Sequence, residues 1–568
     1  MTTDTIEKSG SPIKPSARTF VIGLDGATWD LLGPLMRSGD LPWLSKLCGT
    51  GSWGNLKSTI PPVTASAWSS FYTGRSPGSH GVYDFRKRMT KDSTKRRWVT
   101  QSDIRGPKLW DVLNAQGKTV GLTNLPLTFP PIPVNGYVIA GMPVPQTRSD
   151  IGLPAGIVDE IIRNTGGYIS DIDLLRGTSP DVTDPAKCFE FVENVQKALE
   201  TREKTVLYLM EKYPVDFTAV VFITCDRLSH LFWKVLVPEK KNKPLENWEI
   251  DLRKKMIDVL RKTDKALGAI IEKVGSDDLV VVMSDHGFGP LDEILKMNLL
   301  LRNFGFLAFK PEAEGSLRKK IGRLLPENIK KPLRRLIPGL TVRKSSDTKE
   351  HNEFDPYSLI DWENTRAYSG GSVEQGIFLN VRGREPFGVV QFGAEYHKVR
   401  DELTGKLREC KHTADGKRLF DWVEPRENIY SGERIDDAPD IIFSLRNYRM
   451  VIGEDAEPPL VSPWSQGRAG FHRREGIFAI KGPMIGRYEN IVDANIEDIA
   501  PTICACMGLK IDKGCDGKIL REIIDPTFLS EYPPLKADFE SSGRATPEIC
   551  GKDAEDMEDL IKGLGYLN

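Results

Sequence analysis

Seven residues of types that bind metal ions or act as nucleophiles lie at the ends of predicted buried strands or on the loops beside them: Asp25, Thr64, Asp226, His230, Asp285, His286 and His472. Their carboxylates and imidazoles offer the mixed oxygen and nitrogen ligands that suit zinc or, less selectively, manganese. Two such ions a few ångströms apart can clamp the attacking and leaving oxygens of an in-line displacement at phosphorus. The set therefore indicates metal-assisted chemistry at a phosphate ester.

These residues divide into two predicted metal sites. The first is closed and takes two carboxylates and one imidazole, with a threonine as the fourth ligand: Asp25, Asp285, His286 and Thr64. The second takes one carboxylate and two imidazoles and keeps open positions: Asp226, His230 and His472. Coordination lowers the pKa of a hydroxyl as it does that of water, so Thr64 is the predicted nucleophile.

The stretch 278–289 organises the predicted fold. Its apolar run, Leu279 to Met283, indicates a strand buried on both faces, and such strands lie in the middle of a sheet covered by helices. Asp285 and His286 follow the run, and in open α/β sheets ligands bind beyond the carboxyl ends of the strands. The structural alternative is that Asp285 caps the next turn while His286 packs in the core.

Two further predicted strands end in candidate ligands. The strand that starts at Thr19 ends at Asp25, in an Asp-Gly pair that is also an ordinary turn signal. The strand that starts at Phe217 precedes Asp226 and His230, which are four residues apart and can share an ion from a loop or a first helical turn. The alternative for this pair is a capping acid and an unrelated histidine. The repetition of the arrangement at two strand ends favours the metal site.

Thr64 and His472 lie on predicted connections between elements. Pro61 and Pro62 force extended backbone ahead of a predicted helix that starts at Thr64. The Thr64 hydroxyl would serve there as a helix N-cap, or it would meet an anion favoured by the helix N-terminus, and both roles can hold together. His472 is predicted on a loop just before another buried strand, which ends near Ile480.

These elements predict an α/β fold, a three-layer α/β/α sandwich around a mostly parallel central sheet with inserted cap segments. The predicted division has a disordered tail, a catalytic domain with two cap insertions, and a C-terminal extension with a short helix: residues 1–18, residues 19–530 with insertions near 143–185 and 300–360, and residues 531–568. Residues 301–350 are rich in Lys and Arg, which indicates either a solvated face or a flap that helps to hold an anionic substrate.

Composition limits the classes of partner. Among 568 residues, 78 Lys and Arg nearly balance 79 Asp and Glu, so bulk charge attracts neither nucleic acid nor anionic lipid. We see no secretory signal and no membrane-spanning run, and the eight scattered cysteines predict neither a structural zinc site nor a disulfide framework. We therefore expect a cytoplasmic protein whose partner is a small-molecule phosphate ester, with the oligomeric state left open.

The motifs resemble those of the alkaline phosphatase superfamily, and specifically of its type I phosphodiesterase/nucleotide pyrophosphatase branch. From Phe20 to about Leu520 the chain is similar to prokaryotic members described as predicted phosphohydrolases or phosphomutases. The matching motifs are Leu24-Asp25-Gly26, Thr64 nine residues before Thr73-Gly74, Asp226 with His230, Ser284 to Gly287, and Gly470-Phe471-His472. The resemblance implies that the seven residues hold two divalent ions. It also implies a covalent phosphoryl or nucleotidyl intermediate on Thr64, which water then hydrolyses.

The chain departs from that branch beside the nucleophile. Ala67 stands three residues after Thr64, where the nucleotide pyrophosphatases have an asparagine that helps to bind the phosphoryl oxygen. Backbone N–H groups at the helix start would have to take over that role. The sulfatase pattern C/S-x-P-x-R does not occur around Thr64, and His80 is interpreted as structural.

The predicted activity is metal-dependent cleavage of a phosphodiester or pyrophosphate bond. A phosphomutase or a phosphomonoesterase using the same site is the first alternative. A catalytically silent metal-binding protein is the second, and the intact set of ligands speaks against it.

Overall fold

The computed structural model describes residues 13–88, 96–144, 149–172, 181–239, 243–310, 356–370, 375–453, 458–464, 470–542 and 546–564. Residues 13–18 belonged to the predicted disordered tail, and for these residues the prediction is wrong. Ser16 is buried, and its N–H donates to the carbonyl of Cys506 at 2.9 Å. Arg18 pairs with Asp278 at 2.6 Å, so backbone and charge contacts fix the segment ahead of the first strand.

The elements alternate between strands and helices along much of the chain. The strands are β1 Thr19–Leu24, β2 Ser52–Lys57, β3 Arg86–Arg88, β4 Arg96–Trp98, β5 Val120–Leu125, β6 Gly136–Ala140, β7 Gly152–Leu153, β8 Phe217–Phe222, β9 Leu279–Met283, β10 Gly287–Pro290, β11 Glu293–Lys296, β12 Ala367–Ser369, β13 Gly376–Leu379, β14 Phe420–Pro425, β15 Ile441–Leu445, β16 Met450–Gly453, β17 Val461–Pro463, β18 Gly470–Arg473, β19 Glu475–Lys481, β20 Ile491–Asn495, β21 Ile511–Asp512 and β22 Lys536–Ala537. The helices are α1 Trp29–Arg37, α2 Pro42–Thr50, α3 Thr64–Thr73, α4 Pro77–His80, α5 Leu109–Ala115, α6 Ile157–Thr165, α7 Pro185–Lys212, α8 Thr224–Leu236, α9 Asn247–Ile271, α10 Met297–Asn303, α11 Ala394–Glu409, α12 Arg426–Ile429, α13 Ile499–Cys506, α14 Pro526–Glu531 and α15 Lys552–Leu564.

The central sheet has nine strands in the order β20-β2-β19-β9-β1-β8-β5-β6-β7. Neighbours from β9 to β6 are parallel, whereas β19 runs antiparallel to both β9 and β2, and β7 runs antiparallel to β6. Every residue of β1, β5, β8 and β9 is buried, as expected for parallel strands covered on both faces. The predicted α/β fold with a mostly parallel sheet is confirmed.

Two groups of helices cover this sheet. The helices α2, α7 and α8 each pack against the long helix α9, and α3 packs against α5 and α13. The C-terminal residues join the same body, because β22 pairs with β21 and the Met557 side chain is buried in the main core. The predicted extension after residue 530 therefore packs on the catalytic domain along its described residues.

A second hydrophobic core lies outside the central sheet. It runs from Leu295 to Ile452 and includes α10, α11 and the four-stranded sheet β12-β13-β15-β14. We call the described residues of this region, 295–310, 356–370 and 375–452, the second module. It extends well beyond the cap insertion predicted near 300–360, and the basic stretch of that prediction, 311–350, lies outside the described residues. The domain boundaries stay a prediction.

The other predicted insertion, near 143–185, contributes to the main core along its described residues. The strand β7 extends the edge of the central sheet beside β6. The helix α6 buries Ile157, Val158 and Ile161 in the main core and packs against α7. Residues 145–148 and 173–180 lie outside the described part of the chain. The insertion predicted over the sheet edge is therefore part of the main core along these residues, and its role as a cap stays a prediction.

Candidate metal centre

Three buried carboxylates meet at the carboxyl edge of the sheet. Asp25 follows β1, Asp285 follows β9, and Asp226 lies in the first turn of α8, directly after β8. Because β8, β1 and β9 are neighbours, their ends lie side by side. The N–H of Asp226 donates to the carbonyl of Asp25 at 3.0 Å, and the N–H of Gly26 donates to Asp285 Oδ1 at 3.2 Å. All three carboxylates are fully buried.

Three buried imidazoles surround these carboxylates. His286 follows β9 directly, His230 lies one turn into α8, and His472 lies in β18, where it pairs across to Phe288 of β10. His472 was predicted on a loop, and that prediction is wrong: a ladder of four residue pairs is too short to leave a period in the sequence. Its ring stacks on His286 at 3.6 Å between centroids, and its Nε2 lies 3.1 Å from His230 Nε2.

Thr64 is the first residue of α3, and its side chain is fully buried. The N-cap position belongs to Val63, so Thr64 stands one residue further into the helix than the predicted N-cap. Its Oγ1 lies 3.1 Å from Nε2 of His286. The candidate nucleophile and a candidate ligand, far apart in sequence, are therefore in direct contact.

The loop ahead of Thr64 is held from several sides. The carbonyl of Pro62 accepts from His472 Nδ1 at 2.8 Å, which aims Nε2 of the same ring at the centre. The N–H of Ser58 donates to the carbonyl of Arg474 at 2.7 Å. From the second module, the Tyr430 hydroxyl donates to the carbonyl of Ile60 at 2.5 Å. Contacts of this kind fix the position of a reacting side chain before substrate arrives.

The ligand atoms form two compact groups. Asp226, His230 and His472 form one, and Asp25, Asp226 and His286 form the other; within each, the atoms lie within 4.8 Å of one another. The group of Asp226, His230 and His472 has the members predicted from the sequence. In the other group, Asp226 stands in place of the predicted Asp285, because Asp226 lies within reach of the ligand atoms of both groups. Asp285 remains adjacent, with Oδ2 3.2 Å from Nε2 of His286.

The surroundings favour the neutral form of two of the three carboxylates. Burial, aided by the charges of Asp285 and Asp226, raises the pKa of Asp25 well above its ordinary value. Burial, aided by Asp226, raises the pKa of Asp285 to about 8. Divalent ions stabilise ionised carboxylates in such surroundings.

The pKa values of Asp226 and His286 are lowered, whereas those of Asp25 and Asp285 are raised. Burial tends to raise the pKa of Asp226, but the charges of His230 and Arg227 outweigh it and hold the pKa well below the ordinary value. Burial, together with His472, lowers the pKa of His286 well below its ordinary value. His286 is therefore a neutral imidazole, the form in which histidine binds metal ions.

The residues present fit a pair of divalent ions. Asp25 Oδ1 and Asp285 Oδ2 are buried oxygens that accept no hydrogen bond from the part of the chain that the structure describes. Buried polar atoms are nearly always satisfied in folded proteins, so two such oxygens beside imidazole rings indicate a place for a cation. The donor set of carboxylate oxygen and imidazole nitrogen is one that zinc accepts.

Sequence reasoning missed two residues that contact these carboxylates. Trp68 Nε1 donates to Asp25 Oδ2 at 3.2 Å, and the Arg227 guanidinium donates to Asp226 Oδ2. The spacing of four between Thr64 and Trp68 on a predicted helix was a usable signal, because residues four apart share a helix face. Arg227 gave no comparable signal beyond its position next to Asp226.

Gly26 allows the close approach of elements behind the centre. Its φ is +69°, and a Cβ there would lie 2.8 Å from Phe288 Cε2 and 2.9 Å from Asp226 Cα. Gly26→Ala is therefore expected to lower the free energy of unfolding. We expect this loss to exceed the loss from a glycine-to-alanine substitution with open space around it by ~1–3 kcal/mol, the usual range for overpacking. Gly39→Ala is the matched control, with φ +82° and no atom within 4 Å. Equal losses in the two variants, measured by urea unfolding of the metal-free protein, would contradict the expected crowding.

The fold and the centre define a class of protein. A mostly parallel sheet whose carboxyl edge gathers buried carboxylates, imidazoles and a helix-start hydroxyl is the arrangement of a metal-dependent phosphoester hydrolase of the alkaline phosphatase superfamily. The chain belongs to the type I phosphodiesterase/nucleotide pyrophosphatase family, whose model matches residues 19–472. The match begins at β1 and ends at His472, so it spans all seven candidate residues.

Solved structures of the superfamily resemble this fold at low sequence identity. Wild-type alkaline phosphatase PafA is 12% identical, with 90% of this chain and 100% of that chain covered and a TM-score of 0.51. Phosphonoacetate hydrolase from Sinorhizobium meliloti 1021, in complex with phosphonoacetate, is 14% identical, with 88% and 98% covered and a TM-score of 0.48. No protein with a curated description matches the chain significantly. Within the described ranges, none of the helices has the length and apolar character needed to cross a membrane.

Proposed function

We propose that the protein cleaves a phosphodiester or pyrophosphate bond of a small-molecule substrate through a covalent intermediate on Thr64 at a two-metal site. The position of the Thr64 hydroxyl carries this proposal. Its Oγ1 is buried at the start of α3, 3.1 Å from Nε2 of His286 and thus beside one group of candidate ligands. A hydroxyl in such a place is where a nucleophile activated by metal coordination belongs.

Two ions are assigned to the seven residues. The first ion would be held by Asp25, Thr64, Asp285 and His286, and the second by Asp226, His230 and His472. Zinc is the proposed metal, with manganese as the alternative, because imidazole and carboxylate ligands suit both. Bound at these positions, the ions would lower the pKa of the Thr64 hydroxyl and neutralise charge that develops on the phosphoryl oxygens.

The chain itself supplies the nucleophile. The bond from Thr64 Oγ1 to phosphorus forms while the bond from phosphorus to the leaving oxygen breaks, and the hydroxyl proton passes to solvent. Water then attacks phosphorus, the bond to Oγ1 breaks, and the threonine hydroxyl is restored with a proton. Burial lowers the pKa of His286, which favours the neutral ring whose nitrogen can act as a ligand.

Backbone N–H groups at the start of α3 are the proposed donors to the phosphoryl oxygens. Ala67 replaces the asparagine found in nucleotide pyrophosphatases, so a side-chain amide is missing at that position. The N–H of Ala67 makes the first helical hydrogen bond, to the carbonyl of Val63 at 2.8 Å. The N–H groups of Ala65 and Ser66 precede that bond, and such groups at a helix N-terminus bind anions well. Without the asparagine, specificity for nucleotides does not form part of the proposal.

The test compares a diester with a monoester. Zinc-loaded protein is expected to hydrolyse bis(p-nitrophenyl) phosphate faster than p-nitrophenyl phosphate, and EDTA is expected to stop both reactions until zinc is restored. Faster turnover of the monoester would contradict the diesterase proposal and favour a phosphomonoesterase. Turnover that survives EDTA would contradict the metal site.

Two further parts of the proposal concern the class of partner and the cellular location. Near balance of 78 basic and 79 acidic side chains supports a small-molecule partner over a nucleic acid or an anionic membrane surface. The cytoplasmic location rests on the scattered cysteines, which suit a reducing compartment.

A further inference from the structure

A buried ion-pair network lies directly behind Asp226. The Arg227 side chain has no solvent exposure, and its Nη1 donates to Oδ2 of Asp226. The other edge of the guanidinium meets Asp171, with Nε at 3.1 Å from Oδ1 and Nη2 at 2.6 Å from Oδ2. Nη2 also contacts the sulfur of Met142 at 3.2 Å.

This network fixes which oxygen of Asp226 faces the centre. Oδ2 is turned to the Arg227 guanidinium, while Oδ1 lies 3.2 Å from His230 Nε2 and 3.6 Å from His472 Nε2. Hydrogen bonds to ligating side chains commonly set their orientation in metal sites. The rotation of the Asp226 carboxylate is therefore determined by Arg227.

The orientation matters because Asp226 is within reach of both ligand groups. Its oxygens lie within 4.8 Å of the ligand atoms of Asp25 and His286 as well as of those of His230 and His472. A carboxylate with both oxygens available could bridge two ions or bind one of them through both oxygens. Oδ2 accepts from the Arg227 guanidinium and is less available to a cation, so Oδ1 is the oxygen that faces His230 and His472.

We propose that Arg227 is a positioning residue that restricts Asp226 to ligation through Oδ1 at the site shared with His230 and His472. Asp171 anchors the Arg227 guanidinium, because its two oxygens accept hydrogen bonds from Nε and Nη2 and so orient Nη1 towards Asp226. The inference rests on the proposed two-metal function. It adds to that function a residue that orients Asp226, the carboxylate within reach of both ligand groups.

A stability role alone is a weaker account of the network. Buried ion pairs are poor evidence for stability, since desolvation of the charges offsets much of their attraction. The chain offers a comparison within the second module, where Arg384 pairs with the buried Asp440 through Nη1 at 2.7 Å and Nη2 at 2.5 Å. Like the Arg227–Asp171 pair, that pair is joined by two hydrogen bonds, and it lies in the second module.

The experiment measures zinc affinity at each site by competition with a chromophoric chelator, together with thermal unfolding of the metal-free protein. Arg227→Met is expected to weaken one of the two zinc affinities by ~10- to 100-fold, the usual loss for a residue that orients a ligand. Arg227→Lys keeps the positive charge but replaces the guanidinium with a single ammonium group. We expect this variant to lose less zinc affinity than Arg227→Met. Asp171→Asn is expected to weaken the same zinc affinity, because the Arg227 guanidinium would lose part of the ion pair that holds its position.

Arg384→Met is the matched control and is expected to lower the unfolding temperature while both zinc affinities stay unchanged. Unchanged zinc affinities in Arg227→Met would overturn the inference, and if that variant does not fold, unchanged affinities in both Arg227→Lys and Asp171→Asn would do so. A wild-type protein that binds fewer than two zinc ions would instead overturn the proposed function. The two failures are distinguished by the wild-type titration.

Discussion

Thr64→Ala is expected to lower kcat for diester hydrolysis by roughly 10³- to 10⁶-fold, the range seen when a covalent nucleophile is removed. The loss follows because the Thr64 hydroxyl is the proposed nucleophile, and its Oγ1 lies 3.1 Å from His286 Nε2. Metal content should change little, since Thr64 is one of four proposed ligands at its site and the carboxylates and the imidazole remain. Steady-state kinetics with zinc-loaded protein and elemental analysis of the same sample measure both quantities.

Two variants control this experiment. Thr64→Ser keeps a hydroxyl at the same helix position and should retain a measurable part of the activity. Thr73→Ala removes another buried hydroxyl of α3, whose bond runs to the carbonyl of Ser69 at 2.6 Å, and should leave kcat near the wild-type value. Activity in Thr64→Ala comparable with that of Thr73→Ala would contradict the covalent mechanism.

His472→Ala is expected to remove about one of two bound ions and to lower kcat/KM by roughly 10²- to 10⁴-fold. The estimate reflects the several kcal/mol of transition-state stabilisation that a bound metal ion supplies, at about 1.4 kcal/mol per tenfold in rate. His472 also holds the carbonyl of Pro62 at 2.8 Å, so its removal loosens the loop ahead of Thr64.

The control for this second experiment is a histidine outside the centre. His412 is buried, and its Nε2 lies 3.1 Å from Glu293. His412→Ala should keep both ions and most of the activity, although it also removes an imidazole ring. Retention of two ions in His472→Ala, measured by elemental analysis after gel filtration, would show that His472 is not a ligand.

Much of the fold was predictable because its central strands carry a strong local signal. The runs that became β1, β8 and β9 are apolar along most of their length, since parallel strands covered on both faces have no solvent side. Their carboxyl ends share one edge, so polar residues placed just after each run were expected to meet. The proximity of Asp25, Asp226 and Asp285 follows from that rule.

Other features depend on contacts between distant parts of the chain, which no local pattern records. The position of Asp226 between both ligand groups depends on the start of α8 being bonded to the end of β1, with Asp226 N–H donating to the Asp25 carbonyl at 3.0 Å. Asp171 and Arg227 are 56 residues apart, and nothing in either segment indicates the pair. The extent of the second core was missed for a similar reason, because the pairing of β13 with β15, Gly376 opposite Ile442, joins segments that are far apart in sequence.

Anomalous diffraction at the zinc absorption edge, from crystals of zinc-loaded wild-type protein, would locate the bound ions. Two peaks are expected at the carboxyl edge of the central sheet. One should lie among Asp226, His230 and His472, and the other among Asp25, Asp285 and His286 with Thr64 Oγ1 in its coordination sphere. A single peak, or a second peak that Thr64 does not contact, would contradict a two-metal hydrolase with threonine as its nucleophile.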